Sequence, residues 1–309
     1  RLRPMSLESF LQTLADLSVT VPAAGFVEVC DLSPAELGKF AHAWYGLPVE
    51  RQRLMITTMV DLAEDNPELD FCAIFKMCLK DQDEAVQEKA IEGLWEYEDR
   101  SIISGLIQIL CSKKGPVVRA AAATALGKFP LLAQDGKILP KDICLIRDRL
   151  MDMLRDSNED LEVRRRSLEA VAPFNTPDIN KYVCWAYESS DLKLKSSSIY
   201  AMGRTGESSW LPLLIKELQS PQSAIRYETA NACGELGDEE VIPHLLLLLQ
   251  DDDYQVQLAG INALGRIGGP LAKRALLRCI KESDASLEEE ARAALETIEY
   301  LEDPMAFRS

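Results

Sequence analysis

Apolar and small residues recur along most of the chain at positions 0, 4, 7 and 8 of a short segment, which places them on one face of an α-helix. The segment "VQLAGINALGRIG" shows this pattern at Val256, Gly260, Ala263 and Leu264. A second helical pattern, "PLAKRALLRCIKE", follows it, and a short Asp- or Ser-rich stretch leads to the next segment. No segment alternates apolar and polar residues at every second position, so the pattern predicts an all-α chain.

The same helix pattern returns at regular intervals. We call its first residue the anchor and the helix that it starts the anchor helix. Small residues four and seven positions after the anchor let neighbouring helices approach closely. Gly or Ala nine positions after the anchor comes near the helix end, where Gly can serve as a left-handed cap. The last five anchors are 31 residues apart, and Leu54 is a weaker match. The anchors are Leu54, Val86, Val118, Val163, Leu194, Ile225, Val256 and Leu287.

Two of these segments, "VRAAAATALGKF" and "VQLAGINALGRIG", resemble the HEAT repeat, and in particular the short repeat type of phycobilisome-lyase-like proteins. The resemblance implies a right-handed α–α superhelix, or HEAT-like solenoid, of about eight helical hairpins. Because such scaffolds host many roles, it is informative about the fold and says little about function. It covers residues 48–303, with units near 48–80, 81–113, 114–156, 157–189, 190–220, 221–250, 251–282 and 283–303.

Residues 1–47 do not match the repeat. We expect an N-terminal helical cap over the first repeat, because the open apolar end of a solenoid must be covered; a dedicated partner-binding element is the alternative. The stretch "VTVPAAGFVEVCD" is predicted to be a loop. After it, Ser33, Pro34 and Glu36 predict the start of a helix, as N-cap, first-turn proline and capping-box partner.

An insertion of about 14 residues, 130–143, interrupts the period. It is expected to form a longer inter-helix loop with Gly136 and Pro140, either a spacer or a functional segment. The acidic last unit, 283–303, is expected to form a polar end cap, with an acidic binding segment as the alternative, and the tail 304–309 follows it.

Composition narrows the function classes. The 309-residue chain is 47% hydrophobic and carries a formal charge of −16, so binding to nucleic acid or to an anionic membrane is not expected. No apolar run reaches the length of a membrane helix. Eight cysteines without a C-x-x-C pair predict mostly buried, reduced thiols in a cytoplasmic protein, which we expect to be a monomer. We expect the tryptophans to serve packing, except Trp95, which stands where the repeat otherwise has Gly or Ala.

The sequence contains few residues that could form a catalytic, metal-binding or nucleotide-binding site. Only two histidines occur, and the glycines of 260–269 lack the lysine and the preceding strand of a phosphate-binding loop. Deoxyhypusine hydroxylase, an enzyme of similar repeats, holds iron through His-Glu pairs, and the matching positions here contain none. We therefore expect no catalytic residue, metal or cofactor. A phycobilin-lyase-like enzyme or accessory factor remains the alternative, although no chromophore-handling residue can be named.

The resemblance implies that the anchor helices line the concave face. Positions two, three, five, six and ten after the anchor leave the packed face. The residues read off them in the central repeats include Tyr, Arg and Asn, which are common in interfaces. We therefore predict a scaffold or adaptor that binds a protein partner there; an ordinary solvated surface is the alternative. The predicted partner-binding residues are Arg165, Arg166, Glu169, Ser197, Tyr200, Arg204, Tyr227, Glu228, Asn231, Asn262 and Arg266.

Overall fold

The computed structural model describes residues 6–282 and 285–302, and within these residues the chain is all-α, with no strand. The chain divides into two compact units, with the border between Ala170 and Val171. Each unit is an α-solenoid of stacked helical hairpins, as the repeat pattern predicts. The predicted tail 304–309 lies outside the described residues.

Unit 1, the part of the chain up to Ala170, has α3, α5 and α7 packed side by side in chain order. The second helices α4 and α6 pack against the anchor helices that follow them. Helix α10 ends one residue beyond the border. The helices are α1 (Leu7–Ala15), α2 (Pro34–Trp44), α3 (Val49–Asp65), α4 (Cys72–Cys78), α5 (Glu84–Gly93), α6 (Ile103–Leu110), α7 (Pro116–Leu126), α8 (Phe129–Gln134), α9 (Pro140–Arg155) and α10 (Leu161–Val171).

The N-terminal segment packs on the first hairpin through aromatic side chains. The ring centroids of Phe10 and Phe26 are 5.5 Å apart, those of Phe26 and Phe71 are 6.4 Å apart, and Phe71 lies at the start of α4. The capping box of Ser33 and Glu36 is present, which confirms the predicted start of α2. Residues 23–29, predicted as part of a loop, form a 3₁₀ helix.

The weak match that assigned Leu54 as an anchor is wrong, because the Leu54 side chain is 53% exposed. The equivalent position is Arg51, three residues earlier. The next residue, Gln52, donates from Nε2 to the carbonyl oxygen of Trp44 eight residues back, just as Gln87 donates to that of Leu79. Because this anchor position holds an arginine instead of an aliphatic residue, the apolar pattern did not reveal the repeat register of α3. Its guanidinium instead donates to the carbonyl oxygen of Val19 in the N-terminal segment, at 2.8 Å.

The insertion also differs from the expected loop. Residues 129–134 form α8, and Pro140 is the first residue of α9, so only residues 135–139 connect the two helices. Gly136 lies in this connection at φ 72°, where glycine is favoured over other residues.

Unit 2, from Val171 onward, has α12, α14, α16 and α18 packed side by side in chain order. The second helices α11, α13, α15 and α17 flank this layer. The anchors Leu194, Ile225 and Val256 are buried. The helices are α11 (Pro177–Tyr187), α12 (Leu192–Thr205), α13 (Leu211–Glu217), α14 (Ser223–Leu236), α15 (Ile242–Leu248), α16 (Tyr254–Ile267), α17 (Gly269–Glu282) and α18 (Ala285–Glu302).

Small residues set the close approach of these anchor helices. A Cβ on Gly203 would lie 2.7 Å from Cα of Ala232, and one on Gly234 would lie 3.0 Å from Cα of Ala263. The contact at Gly203 leaves no room for a side chain, and a side chain at Gly234 would require the neighbouring helix to shift. In this unit Gly203 and Gly234, nine positions after the anchor, thus serve helix packing and do not take the capping role that the sequence left open for them. The left-handed caps of α12 and α14 lie three residues further on, at Gly206 and Gly237, both at φ 70°.

Polar residues directly after the anchor satisfy carbonyl oxygens at the end of the preceding hairpin. Arg119 donates from Nε to the carbonyl oxygen of Leu110 at 2.9 Å, and Gln257 donates from Nε2 to that of Asp251 at 2.6 Å. Carbonyl groups at helix ends have no partner within their own helix, so these side chains fasten one hairpin to the next.

The expectation that the cysteines are mostly buried is also wrong. Cys111, Cys144 and Cys184 are exposed, although all eight cysteines are free thiols. Trp95 is 70% exposed. Its backbone is held by Lys128, whose ammonium donates to the carbonyl oxygens of Leu94 and Trp95 at 2.8 and 2.9 Å. Burial lowers the pKa of Lys128 to about 8.

Candidate protein-binding face

The anchor helices of unit 2 expose one stripe each, on the side away from the second helices. The exposed or half-buried positions lie two before and two, six and ten after the anchor, so they follow one another at intervals of four residues along one helix face. We call this surface the anchor-helix face. Its members on α12, α14 and α16 are Leu192, Ser196, Tyr200, Arg204, Ser223, Tyr227, Asn231, Glu235, Tyr254, Leu258, Asn262 and Arg266.

A ladder of ion pairs closes one end of the face. Glu235 on α14 accepts from Arg204 on α12 at 3.3 Å and from Arg266 on α16 at 2.6 Å. These three residues occupy the same place in successive repeats, so equivalent residues of neighbouring helices stand side by side. Because Glu235, the shared partner, is exposed to solvent, each ion pair contributes little to the free energy of unfolding. The main effect of these ion pairs is therefore to hold the side chains of Arg204 and Arg266 in a defined orientation.

Tyr200, Asn231 and Asn262 form the next row, one turn nearer the helix starts. Tyr200 is 37% exposed and lies under Arg204, whose guanidinium carbon is 5.9 Å from the ring centroid. Asn231 and Asn262 form no hydrogen bond with any described residue, so their carboxamides can donate and accept. This row combines an aromatic surface with free hydrogen-bonding groups.

Aromatic and aliphatic residues dominate the remaining rows. Tyr227 on α14 is 40% exposed, and Leu258 is half-buried at the equivalent place on α16. Tyr254, at the start of α16, is also 40% exposed, and its hydroxyl is hydrogen-bonded to Ser286 at the start of α18. A surface with this mixture can bury apolar area and still pair polar groups.

Six of the eight predicted residues of unit 2 lie on this face, and the two at position three after the anchor, Ser197 and Glu228, do not. Ser197 is 1% exposed, and its hydroxyl donates to the carbonyl oxygen of Lys193 at 3.1 Å. The prediction is therefore wrong for Ser197, because position three after the anchor turns toward the packed interior. Glu228, at the same position on α14, is half-buried.

The predicted residues of unit 1 form a compact charge cluster on α10. Arg165 pairs with Glu162 and Glu169 at 2.6 and 3.2 Å, and Arg166 pairs with the same two carboxylates at 3.1 and 2.8 Å. The hydrogen bond from Arg165 lowers the pKa of the Glu162 carboxyl. The side chain of Arg165 is 13% exposed. These arginines are thus largely engaged within their own helix.

The prediction missed Tyr254. It stands two residues before its anchor, whereas only positions after the anchor were considered. A signal was present in the sequence, since Tyr200, Tyr227 and Tyr254 follow one another at intervals of 27 residues, four fewer than the repeat.

Other chemistry is sparse in the described part of the chain. No group of three His, Cys, Asp or Glu side chains there could hold a metal ion. An open depression of about 590 Å³ lies over α11, lined by Asn180, Cys184 and Trp185 among others. None of the described helices is both long and apolar enough to cross a membrane.

The family model for HEAT repeats matches residues 73–140 and 211–296, one stretch in each unit. The chain is therefore a HEAT-repeat protein. No curated protein sequence is significantly similar to it.

Solved structures share the fold. The karyopherin Kap121p bound to Pho4p matches with a TM-score of 0.51 and 15% identity, over 97% of this chain and 39% of Kap121p. Human deoxyhypusine hydroxylase matches with a TM-score of 0.39 and 18% identity, over 95% and 96% of the two chains. The phycocyanin lyase complex of CpcE and CpcF from Nostoc sp. matches with a TM-score of 0.47 and 21% identity, over 76% of this chain and 94% of the lyase chain. At these identities the likeness to Kap121p concerns the fold alone.

Proposed function

We propose that this chain is a non-catalytic protein-interaction scaffold that binds a protein partner on the anchor-helix face of unit 2. The observation that carries the proposal is the outward row of Tyr200, Asn231 and Asn262 on three tightly packed helices. Tyrosine buries a large area for few rotatable bonds, and unpaired carboxamides supply hydrogen bonds to a partner.

The rigidity of the face supports the same function. Gly203 and Gly234 bring the helices together, and the Glu235 ladder holds Arg204 and Arg266 in place. Side chains that are already ordered lose less entropy on binding, which favours affinity. Kap121p, which shares the fold, is seen bound to Pho4p and to the SUMO protease Ulp1p. A protein-binding role is compatible with this fold.

The proposal is tested by affinity recovery with the tagged full chain, followed by mass spectrometry. The variant Tyr200→Ala/Tyr227→Ala/Asn262→Ala removes exposed groups from the face without touching the packed positions. We expect at least about tenfold lower recovery of the specific partner, because interface aromatics often contribute 1–3 kcal/mol or more each.

The matched control is Lys181→Ala/Leu247→Ala/Arg274→Ala, which removes three exposed side chains from the second helices α11, α15 and α17. Unchanged recovery is expected for this variant. A partner that is kept by the first variant and lost by the control would place binding on the opposite side of the unit and overturn the proposal.

A further inference from the structure

Three exposed tyrosines run diagonally across the anchor-helix face. Tyr200, Tyr227 and Tyr254 lie on α12, α14 and α16, one per helix, and each stands four residues earlier in its repeat than the one before. A shift of four residues keeps the same helix face and moves the side chain one turn along the axis. We call these residues the tyrosine track.

The ion pairs at Glu235 establish that equivalent positions of the three helices are neighbours, so the spacing of the track can be derived. Packed helices lie about 8–10 Å apart, and four residues rise about 6 Å, which separates successive track positions by roughly 11 Å. A polyproline II helix rises about 9 Å in one turn of three residues and presents the same face at every turn. Tyrosine side chains are long enough to lean along the surface and cover the difference of roughly 2 Å between these two spacings.

We propose that the tyrosine track binds a proline-rich segment of another protein in the polyproline II conformation, with prolines three residues apart against successive tyrosines. This inference rests on the proposed function and names the class of partner. Flat aromatic rings spaced along a groove are the surface on which proline rings dock, and a preformed polyproline helix loses little entropy on binding.

Asn231 supports an extended backbone in the ligand. It lies one helical turn after Tyr227 on α14 and next to Tyr200 across the helix pair, and its carboxamide has no partner among the described residues. The carbonyl groups of a polyproline II helix make no internal hydrogen bonds, so they are available to such a donor. A helical ligand would have its carbonyl groups already paired, and the Asn231 amide would gain nothing from them.

The charge at the Tyr254 end favours a basic residue beside the prolines. The acidic run Asp251–Asp253 directly precedes Tyr254. Asp251 is paired with Arg226 at 2.7 Å and Asp253 caps α16, while Asp252 is exposed. Three carboxylates with one arginine leave this end negative, which complements a lysine or arginine on the ligand.

The test is selection of a random 12-residue peptide library, displayed on phage, against the full chain. We expect enrichment of prolines spaced by three residues with a lysine or arginine at one end. The synthetic consensus peptide should bind at least about tenfold more weakly to Tyr227→Ala, in line with loss of one aromatic anchor. Tyr227→Phe, which keeps the ring and the fold, should bind nearly as well as the wild type.

Tyr45→Ala is the matched control, since Tyr45 is a 54% exposed tyrosine of unit 1, and it should leave peptide affinity unchanged. Asp252→Asn should weaken binding of the basic peptide and reduce its salt dependence. A consensus without prolines, no enrichment at all, or an affinity insensitive to Tyr227→Ala would overturn the inference. If a protein partner is still lost from the triple variant of the anchor-helix face, the proposed function stands and only the partner class fails.

Discussion

At the scale of single residues, the structure depends on small side chains where helices touch and on paired polar atoms where they are buried. Gly203 faces the backbone of Ala232 so closely that even a methyl group has no place. Trp44 is completely buried, and its indole Nε1 donates to the carboxylate of Asp81 at 2.9 Å. Position 203 therefore requires glycine, and position 44 requires a large side chain with an N–H donor.

Gly203→Ala is expected to lower the free energy of unfolding by about 1–3 kcal/mol, because the new Cβ must push α12 and α14 apart. The control is Gly38→Ala in α2, where nothing lies within 4 Å of the added Cβ. That change should be neutral or stabilise by up to about 1 kcal/mol, since alanine favours helix over glycine. Denaturant unfolding measures both, and equal effects would contradict the packing role of Gly203.

Trp44→Phe is expected to destabilise by about 1–3 kcal/mol, because it leaves a carboxylate oxygen of the buried Asp81 without its donor. Trp95→Phe changes a side chain that is 70% exposed and should leave the unfolding midpoint within experimental error. Thermal unfolding of the two variants separates these roles. A loss of stability with Trp95→Phe as large as with Trp44→Phe would show that exposure does not govern the difference.

The residues of the candidate site could be predicted in part from position in the repeat. Tyr200, Tyr227 and Asn262 are exposed as expected, because their positions are opposite the packed face. Ser197 was misplaced because position three lies at the edge of the helix face, and neighbouring helices decide whether such an edge is covered. Helical periodicity describes a single helix and gives no information about which neighbouring helix covers that edge.

At the scale of elements, polar residues fasten each anchor helix to its neighbours. Arg226 on α14 pairs with Asp251 after α15 and donates to the carbonyl oxygen of Ser220 at 2.8 Å. One arginine thus joins the turn before its own helix to the turn before α16. A break at this point loosens two connections at once.

Asp251→Asn is expected to destabilise by about 1 kcal/mol at neutral pH, where the charged hydrogen bond is intact. The hydrogen bond from Arg226 lowers the pKa of Asp251 in the folded state. A lowered folded pKa means that the stabilisation is present above the unfolded pKa of about 3.9 and is lost as the pH falls through the folded value. Denaturant unfolding from pH 7 to pH 2 should show wild type and variant converging at the acid end. A difference in stability that stays constant over this range would contradict the account.

The order of helices was largely predictable, and its irregularities were not. The 31-residue period marks α12, α14 and α16 because the same apolar positions recur. The register of α3 was missed because Arg51 fills an anchor position, and contacts with the N-terminal segment compensate for it. The short helix α8 was missed because six residues contain too little periodicity to distinguish a helix from a loop.

At the scale of the whole molecule, the chain is a HEAT-repeat protein of two units with no cross-link among its eight cysteines. Stability therefore depends on packing between successive helices within each unit. The overall charge of −16 opposes association with polyanions and favours partners with basic segments.

Thiol labelling checks the burial pattern across both units. We expect Cys111, Cys144 and Cys184 to react first in the folded chain, since they are exposed. Cys233 should react only on unfolding, because it is buried and burial raises its pKa to about 12. Mass spectrometry of partly labelled protein gives the order, with denatured protein as the control for all eight thiols. Early labelling of Cys233 would contradict the packing of α14.

The central claim is that the anchor-helix face of unit 2 holds a protein partner, and site-specific photo-crosslinking tests it most directly. A benzoylphenylalanine placed at Asn231 or Asn262 should form an adduct with the partner in cell extract, and the same group at Leu247 or Arg274 should not. The adduct should disappear when Tyr200 and Tyr227 are changed to alanine. Adducts that form from Leu247 or Arg274 and not from Asn231 or Asn262 would contradict the claim.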